Sequence, residues 1–233
     1  MANLPENEDA KDTNCGFVAL IGAPNAGKST LLNQLVGAKV AIVTHKVQTT
    51  RTRITGIGMY EKTQLVFIDT PGIFEPKRRL DRAMVSAAWQ GSADAENTVL
   101  LIDARKGITA DDERIIKALQ KIERTVILAL NKIDGMRRDS LLALMAKLNE
   151  TGVFSDTFLI SALKGDGVND LKAHLASNAP KGPWMYPEDQ LSDTTMRILA
   201  AEITREKVYL RLHEELPYAT TVETESWEDR PDG

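Results

Sequence analysis

The stretch Phe17-Val18-Ala19-Leu20-Ile21-Gly22-Ala23-Pro24-Asn25-Ala26-Gly27-Lys28-Ser29-Thr30-Leu31-Leu32 decides the fold. Residues 17–21 are a continuous apolar run that reads as a buried strand, and residues 29–35 carry a helical pattern. Between them stands a GxxxxGKS loop, residues 22–29. Gly22 and Gly27 let backbone N–H groups turn inward onto phosphate oxygens, and the N-terminus of the following helix adds partial positive charge. Lys28 then reaches the outer phosphates, while the Ser29 hydroxyl offers Mg²⁺ a hard oxygen. A glycine-rich turn without a ligand lacks this strand–loop–helix setting, so the pattern reads as a nucleotide-phosphate site.

Working outward, short β-branched runs alternate with helical patterns. Strands are expected at 54–60, 64–69, 98–103, 125–130 and 157–161, and helices at 80–90, 110–121, 140–148 and 168–176. Glu61-Lys62-Thr63 is too short for a crossover, so its flanking strands form an antiparallel pair in a mostly parallel sheet. The expectation is α/β: a P-loop NTPase three-layer fold. The segment 178–191 holds Pro180, Pro183 and Pro187 with Gly182 and reads as a linker. Beyond it, Met196, Leu199, Ile203 and Leu210 share one face of a helix expected at 193–212, and 216–224 alternates like a strand. The domain reading is a flexible tail at 1–15, a nucleotide domain at 16–177, the linker at 178–191, and an incomplete second domain at 192–233.

A GxxxxGKS loop names a phosphate, not a base. Asn131-Lys132-Ile133-Asp134, directly after the strand expected at 125–130, names the base. The Asp134 carboxylate can accept from guanine N1–H and the 2-amine, whereas adenine leaves it unpaired, a difference worth about 10⁴-fold. Asn131 is expected to tie this strand end to the phosphate loop, and the Lys132 stem to lie along the base plane. Asp69-Thr70-Pro71-Gly72, followed by Ile73, ends another strand: Asp69 can hold Mg²⁺ through water and the Gly72 N–H can meet the γ-phosphate. Ser161-Ala162-Leu163 ends the last strand, where the Ala162 N–H can bond guanine O6. Thr50 is the chosen second Mg²⁺ hydroxyl in Thr49-Thr50-Arg51, with Thr49 as the alternative.

The chain has 233 residues and a formal net charge of −4, so any RNA partner needs a local basic patch. Lys46, Arg51, Arg53 and Lys77-Arg78-Arg79 are such clusters. The single cysteine, Cys15, excludes a disulfide framework and points to a reducing cytosol. The acidic N-terminus is unlike a signal peptide, no apolar run approaches a membrane span, and the three histidines lack metal-ligand spacing.

With GxxxxGKS, Thr-Thr-Arg, DTPG, NKxD and Ser-Ala-Leu in that order, the chain resembles translation-factor-related GTPases, and more narrowly the bacterial Era family. The close signs are residues 22–33, Gln48-Thr49-Thr50-Arg51 and Asp69-Thr70-Pro71-Gly72-Ile73. The discriminating one is Ala201-Glu202-Ile203-Thr204-Arg205-Glu206-Lys207 followed by Glu215-Leu216-Pro217-Tyr218, similar to the start of that family's KH domain. The resemblance implies the first helix and strand of an α+β KH domain, although no GXXG loop follows Thr224.

It further implies a cytoplasmic, monomeric GTPase with GTP or GDP and Mg²⁺ as ligands. Its expected partners are the small ribosomal subunit and the 3′ end of 16S rRNA, with no DNA partner and a weak contact with the inner-membrane surface. Ile73 stands where other GTPases set a water-orienting glutamine, and Glu75 is a substitute candidate. The family route instead has Asn25 and carbonyls of the loop at 39–48 hold K⁺ against the phosphates, with slow turnover rising in K⁺ and Lys28, Thr50 and Asn25 acting in catalysis. Another GTPase of the same class and, from a different class, a P-loop small-molecule kinase remain alternatives on sequence alone.

Overall fold

The computed structural model of the chain describes residues 12–43, 54–76, 79–211 and 221–226. The apolar runs form β1 (Asn14–Gly22), β2 (Ile54–Tyr60), β3 (Thr63–Asp69), β4 (Asn97–Asp103), β5 (Val126–Asn131) and β6 (Phe154–Ile160), in one sheet ordered β2-β3-β1-β4-β5-β6. β2 and β3 pair antiparallel, as the short turn between them requires, and every other pair is parallel. Helices α1 (Lys28–Val36), α2 (Arg79–Ala93), α3 (Ala110–Lys121), α4 (Arg138–Asn149) and α5 (Val168–Ser177) cover the two faces.

Alternation along β1 divides its side chains between two cores. Val18 and Leu20 pack with Leu31 and Leu35 of α1 and with Leu171 and Leu175 of α5. Ile21 packs on the opposite face with Ala88 of α2, Ile115 and Leu119 of α3, and Leu141 of α4. A strand buried on both faces needs apolar residues at every position, which is why these runs look continuous in the sequence. β1 is flanked by β3 on one side and β4 on the other. The crevice at its carboxyl end, where the connections diverge, is where an open α/β sheet binds ligands.

Several expectations are corrected. β6 begins at Phe154 rather than 157, because an edge strand tolerates the exposed Ser155 and Asp156. Asn14 and Cys15 belong to β1, not to a tail: Asn14 pairs with Thr63 and its amide donates to Ala179 O at 2.8 Å. The rest of the expected tail, residues 1–11, lies outside the described residues.

The expected linker is a strap held to the sheet. Gln64, fully buried on β3, accepts from the N–H groups of Met185 and Tyr186 at 2.9 and 3.0 Å and donates to Tyr186 O at 2.9 Å. Further along, Ile57 N–H donates to Leu191 O at 2.9 Å and Ser192 Oγ donates to Thr55 O at 2.7 Å. The strap thereby covers the outer edge of β2, which would otherwise present unpaired backbone groups.

The expected terminal helix is α6 (Met196–Arg211), but its buried side is not the apolar stripe. Met196 and Leu210 are exposed, whereas Arg205, Glu206 and Tyr209 are buried. The partner of α6 explains this. Glu206 accepts from Lys39 Nζ at 2.5 Å and from Val43 N–H at 3.1 Å, so the helix meets a loop offering a cation and a bare N–H. Of the strand expected at 216–224, residues 216–220 lie outside the described residues and 221–224 form no strand. Instead Thr224 Oγ1 donates to Arg197 O at 2.8 Å and its carbonyl accepts from the Arg197 guanidinium at 3.1 Å. Among the described residues no helix is long and apolar enough to cross a membrane.

Candidate nucleotide-binding site

The residues singled out in the sequence converge on the carboxyl edge of the sheet. Gly22, Asp69 and Asn131 end β1, β3 and β5, residues 161–163 come directly after β6, and Asp103, which no motif named, joins them at the end of β4. The registers Leu20↔Asp69, Asp103↔Asn131 and Asn131↔Ile160 set these strand ends side by side.

The phosphate loop is preshaped. Gly27 has φ +105°, and a Cβ there would stand 2.2 Å from Asn131 Nδ2, so only glycine fits. Lys28 is buried, and its Nζ donates to Gly22 O and Ala23 O, both at 3.1 Å. Burial pushes its pKa down to about 8, opposed by the charges of Asp69 and Asp112. Ser29 Oγ donates to Asp69 Oδ2 at 2.7 Å. A hydroxyl and a carboxylate oxygen held together are hard donors of the kind Mg²⁺ selects, so the residues present fit that ion. Thr49 and Thr50, with Lys46, Arg51, Arg53, Lys77 and Arg78, lie outside the described residues.

The DTPG segment is pinned beneath the loop. Thr70 Oγ1 donates to Leu20 O at 2.8 Å, and Ile73 N–H donates to Gly22 O at 3.0 Å. Pro71 is buried between them, and a Cβ on Gly72 would lie 2.9 Å from Pro24 N. Ile73 is buried in the core and has no polar atom with which to orient water. Glu75 Oε2 accepts from Arg114 of α3 at 2.8 Å, an ion pair between two exposed side chains.

At the base end, the expected tie is made. Asn131 Nδ2 donates to Ala26 O at 2.8 Å, and Oδ1 accepts from Lys132 N–H at 2.8 Å and Ala162 N–H at 2.9 Å. The Ala162 N–H, expected to meet guanine O6, thus lies beside Asn131 at the base end of the site. Lys132 Nζ bonds Asn25 O and Asp103 Oδ2, both at 2.7 Å, which braces the loop from a second side. Asp134 Oδ1 accepts from Ser161 Oγ at 2.8 Å, and Oδ2 is met by the Arg105 guanidinium. The Ser161 hydroxyl first, then the Asp134 backbone N–H, and after these the charge of Arg105 hold the Asp134 carboxyl below the usual carboxylate range. Asp103 and Arg105 were missed by motif reading. The signal available was their polarity at the carboxyl end of a buried strand.

A cavity of about 460 Å³ runs between these ends, lined by Lys28 and Ser29 at one and by Lys132, Asp134 and Leu163 at the other. Its size and its polar ends suit a small ligand with an anionic group and an edge of donors. Fold and site together define a phosphate-loop GTPase, and a family model described as a 50S ribosome-binding GTPase matches residues 17–132. The chain is 59% identical over 228 residues to GTPase Era of Mesorhizobium japonicum, covering 98% of this chain and 74% of that protein. It is 58% identical over 235 residues to GTPase Era of Caulobacter vibrioides, covering 95% and 74%. Among solved structures, Era in complex with MgGDPNP and nucleotides 1506–1542 of 16S ribosomal RNA superposes with TM-score 0.84 at 38% identity, covering 88% of this chain and 70% of that one. An Aquifex aeolicus Era variant bound to GDP and AlF4⁻ gives 0.82 at 38% identity, with the same coverage. The chain belongs to the Era family of GTPases.

Proposed function

We propose that this GTPase is a guanine-nucleotide switch acting in assembly of the small ribosomal subunit and maturation of 16S rRNA, through the 3′ end of that RNA. The observation that carries this reading is the likeness, over 88% of the chain, to Era holding a 16S rRNA fragment. Residues 14–177 are the nucleotide domain, and α6 opens a KH-type RNA-binding domain. The basic residues 46, 51, 53 and 77–79 supply the phosphate contacts an acidic chain otherwise lacks. The test is co-sedimentation of the full chain with purified subunits. More should pellet with 30S particles in a GTP analogue than in GDP, and more than with 50S particles. Equal pelleting in both nucleotide states, or a preference for 50S particles, overturns the reading.

The reaction is in-line attack of water on GTP, and the protein contributes position and charge rather than a covalent step. N–H groups of residues 22–30, Pro24 excepted, and the Lys28 ammonium hold the phosphates, Asp134 reads guanine, and the Gly72 N–H senses the γ-phosphate. Ser29 and Asp69, with Thr50 or in its place Thr49, would hold Mg²⁺, which neutralises phosphate charge when bound. Loss of the γ-phosphate releases the loops around Thr50 and Gly72, which is the switch.

Lys28 gives this reading a pH signature. Burial sets its pKa at about 8, and a bound phosphate raises it by favouring the cation. Binding therefore takes up a proton, and affinity falls as pH rises through that value. GDP affinity measured by titration calorimetry at pH 7.0 to 8.8 is expected to drop by several-fold, up to about ten-fold per pH unit. A flat profile would exclude Lys28 as the titrating phosphate ligand. Potassium gives a second signature. Slow hydrolysis should rise when K⁺ replaces Na⁺, and Asn25→Ala should erase the difference. Equal phosphate release in the two salts removes K⁺ from the mechanism.

A further inference from the structure

Both oxygens with which Asp134 would meet a guanine are already engaged within the protein. Ser161 Oγ donates to Oδ1 at 2.8 Å, while Arg105 Nη2 bonds Oδ2 and also Asp134 O at 3.0 Å. The two partners differ in freedom. Ser161 is fully buried at the end of β6, and its single donor leaves Oδ1 a second lone pair. Arg105 stands on the turn after β4, its side chain 53% exposed and on the wall of the nucleotide cavity. It can swing out into solvent without disturbing the core.

The chemistry of the two competitors is alike. The N1–C2–N2 edge of guanine is itself a guanidine fragment, presenting N–H donors to a carboxylate as arginine does. We propose that Arg105 is an internal placeholder for guanine, which satisfies Asp134 when the site is empty and competes with the base for Oδ2. This rests on the reading of Asp134 as the base contact. An interaction made only in the empty state lowers apparent nucleotide affinity by its own equilibrium factor. It also offers Asp134 a replacement donor as the base departs, so Arg105 makes the protein quicker to exchange GDP. Because the competing bond is a partly exposed ion pair, salt weakens it.

The experiment measures mant-GDP equilibrium binding and release on the full chain, comparing wild type with Arg105→Ala and Arg105→Lys at low and high KCl. Arg105→Ala is expected to bind about five-fold tighter at low salt, with slower release, and the gap should narrow at high salt. Arg105→Lys, which keeps the charge but loses the planar fork, should fall between the two. Weaker or unchanged binding by Arg105→Ala at low salt overturns the placeholder. If Asp134→Asn loses mant-GDP while Arg105→Ala changes nothing, only the placeholder fails. If Asp134→Asn binds mant-GDP as wild type does, the base reading itself falls and the placeholder with it.

Discussion

Asp134→Asn is expected to lower affinity for GDP and GTP by about 10⁴-fold while opening the site to xanthine nucleotides. The carboxylate accepts two N–H groups from guanine. Asparagine keeps one acceptor and turns a donor toward the second, where guanine also presents a donor. Xanthine carries a carbonyl at that position and restores the match. Of the two neighbours of Asp134, Ser161 tolerates the amide, and the half-exposed Arg105 loses its Oδ2 acceptor and keeps the Asp134 carbonyl. Ser161 Oγ can still donate to the amide oxygen, and the residue lies at the cavity wall rather than in the hydrophobic core. Competition of GDP and XDP against a fluorescent probe decides it. Retained GDP binding without xanthine binding would remove Asp134 as the base reader.

Gly27→Ala is expected to abolish measurable nucleotide binding, a loss of at least about 100-fold. A methyl group there would sit 2.2 Å from Asn131 Nδ2, the atom that donates to Ala26 O at 2.8 Å. Either the amide retreats, releasing the phosphate loop from β5, or the loop opens and its N–H groups lose their common focus. The backbone adds a second penalty, since φ +105° strains any residue with a Cβ. Together the lost bond and the strain should cost about 2–4 kcal/mol of stability. Gly107→Ala is the control: its φ is +66° but nothing lies within 4 Å of a Cβ, so it bears only the conformational part. Thermal melts and mant-GDP titrations of the two variants separate these effects. Binding by Gly27→Ala within about three-fold of wild type would contradict the coupling through Asn131.

The parts of the molecule legible in sequence are those whose signal is local. The apolar runs of β1, β4 and β5 are continuous because both faces are buried. The ends of β6 and α6 were less legible. At β6 an edge strand admits polar residues, and at α6 the residues that pack are Arg205, Glu206 and Tyr209 rather than the aliphatic stripe. The strap at 178–191 looked unstructured because prolines and glycine break every period. Its order comes from Gln64, whose buried carboxamide is an ordinary polar residue until its partners are known.

By itself the amino-acid order determined the fold class, the phosphate loop, and the choice of guanine, because each depends on residues close together along the chain or on spacings that recur at strand ends. What only tertiary structure decided is how the ends of the site are joined. Lys132 is tied to Asn25 and Asp103, Arg105 to Asp134, and Glu75 to Arg114. The reason is geometric. A polar side chain at a strand end has several possible partners of suitable charge, and only the packing of neighbouring strands brings one of them within the short range a hydrogen bond requires.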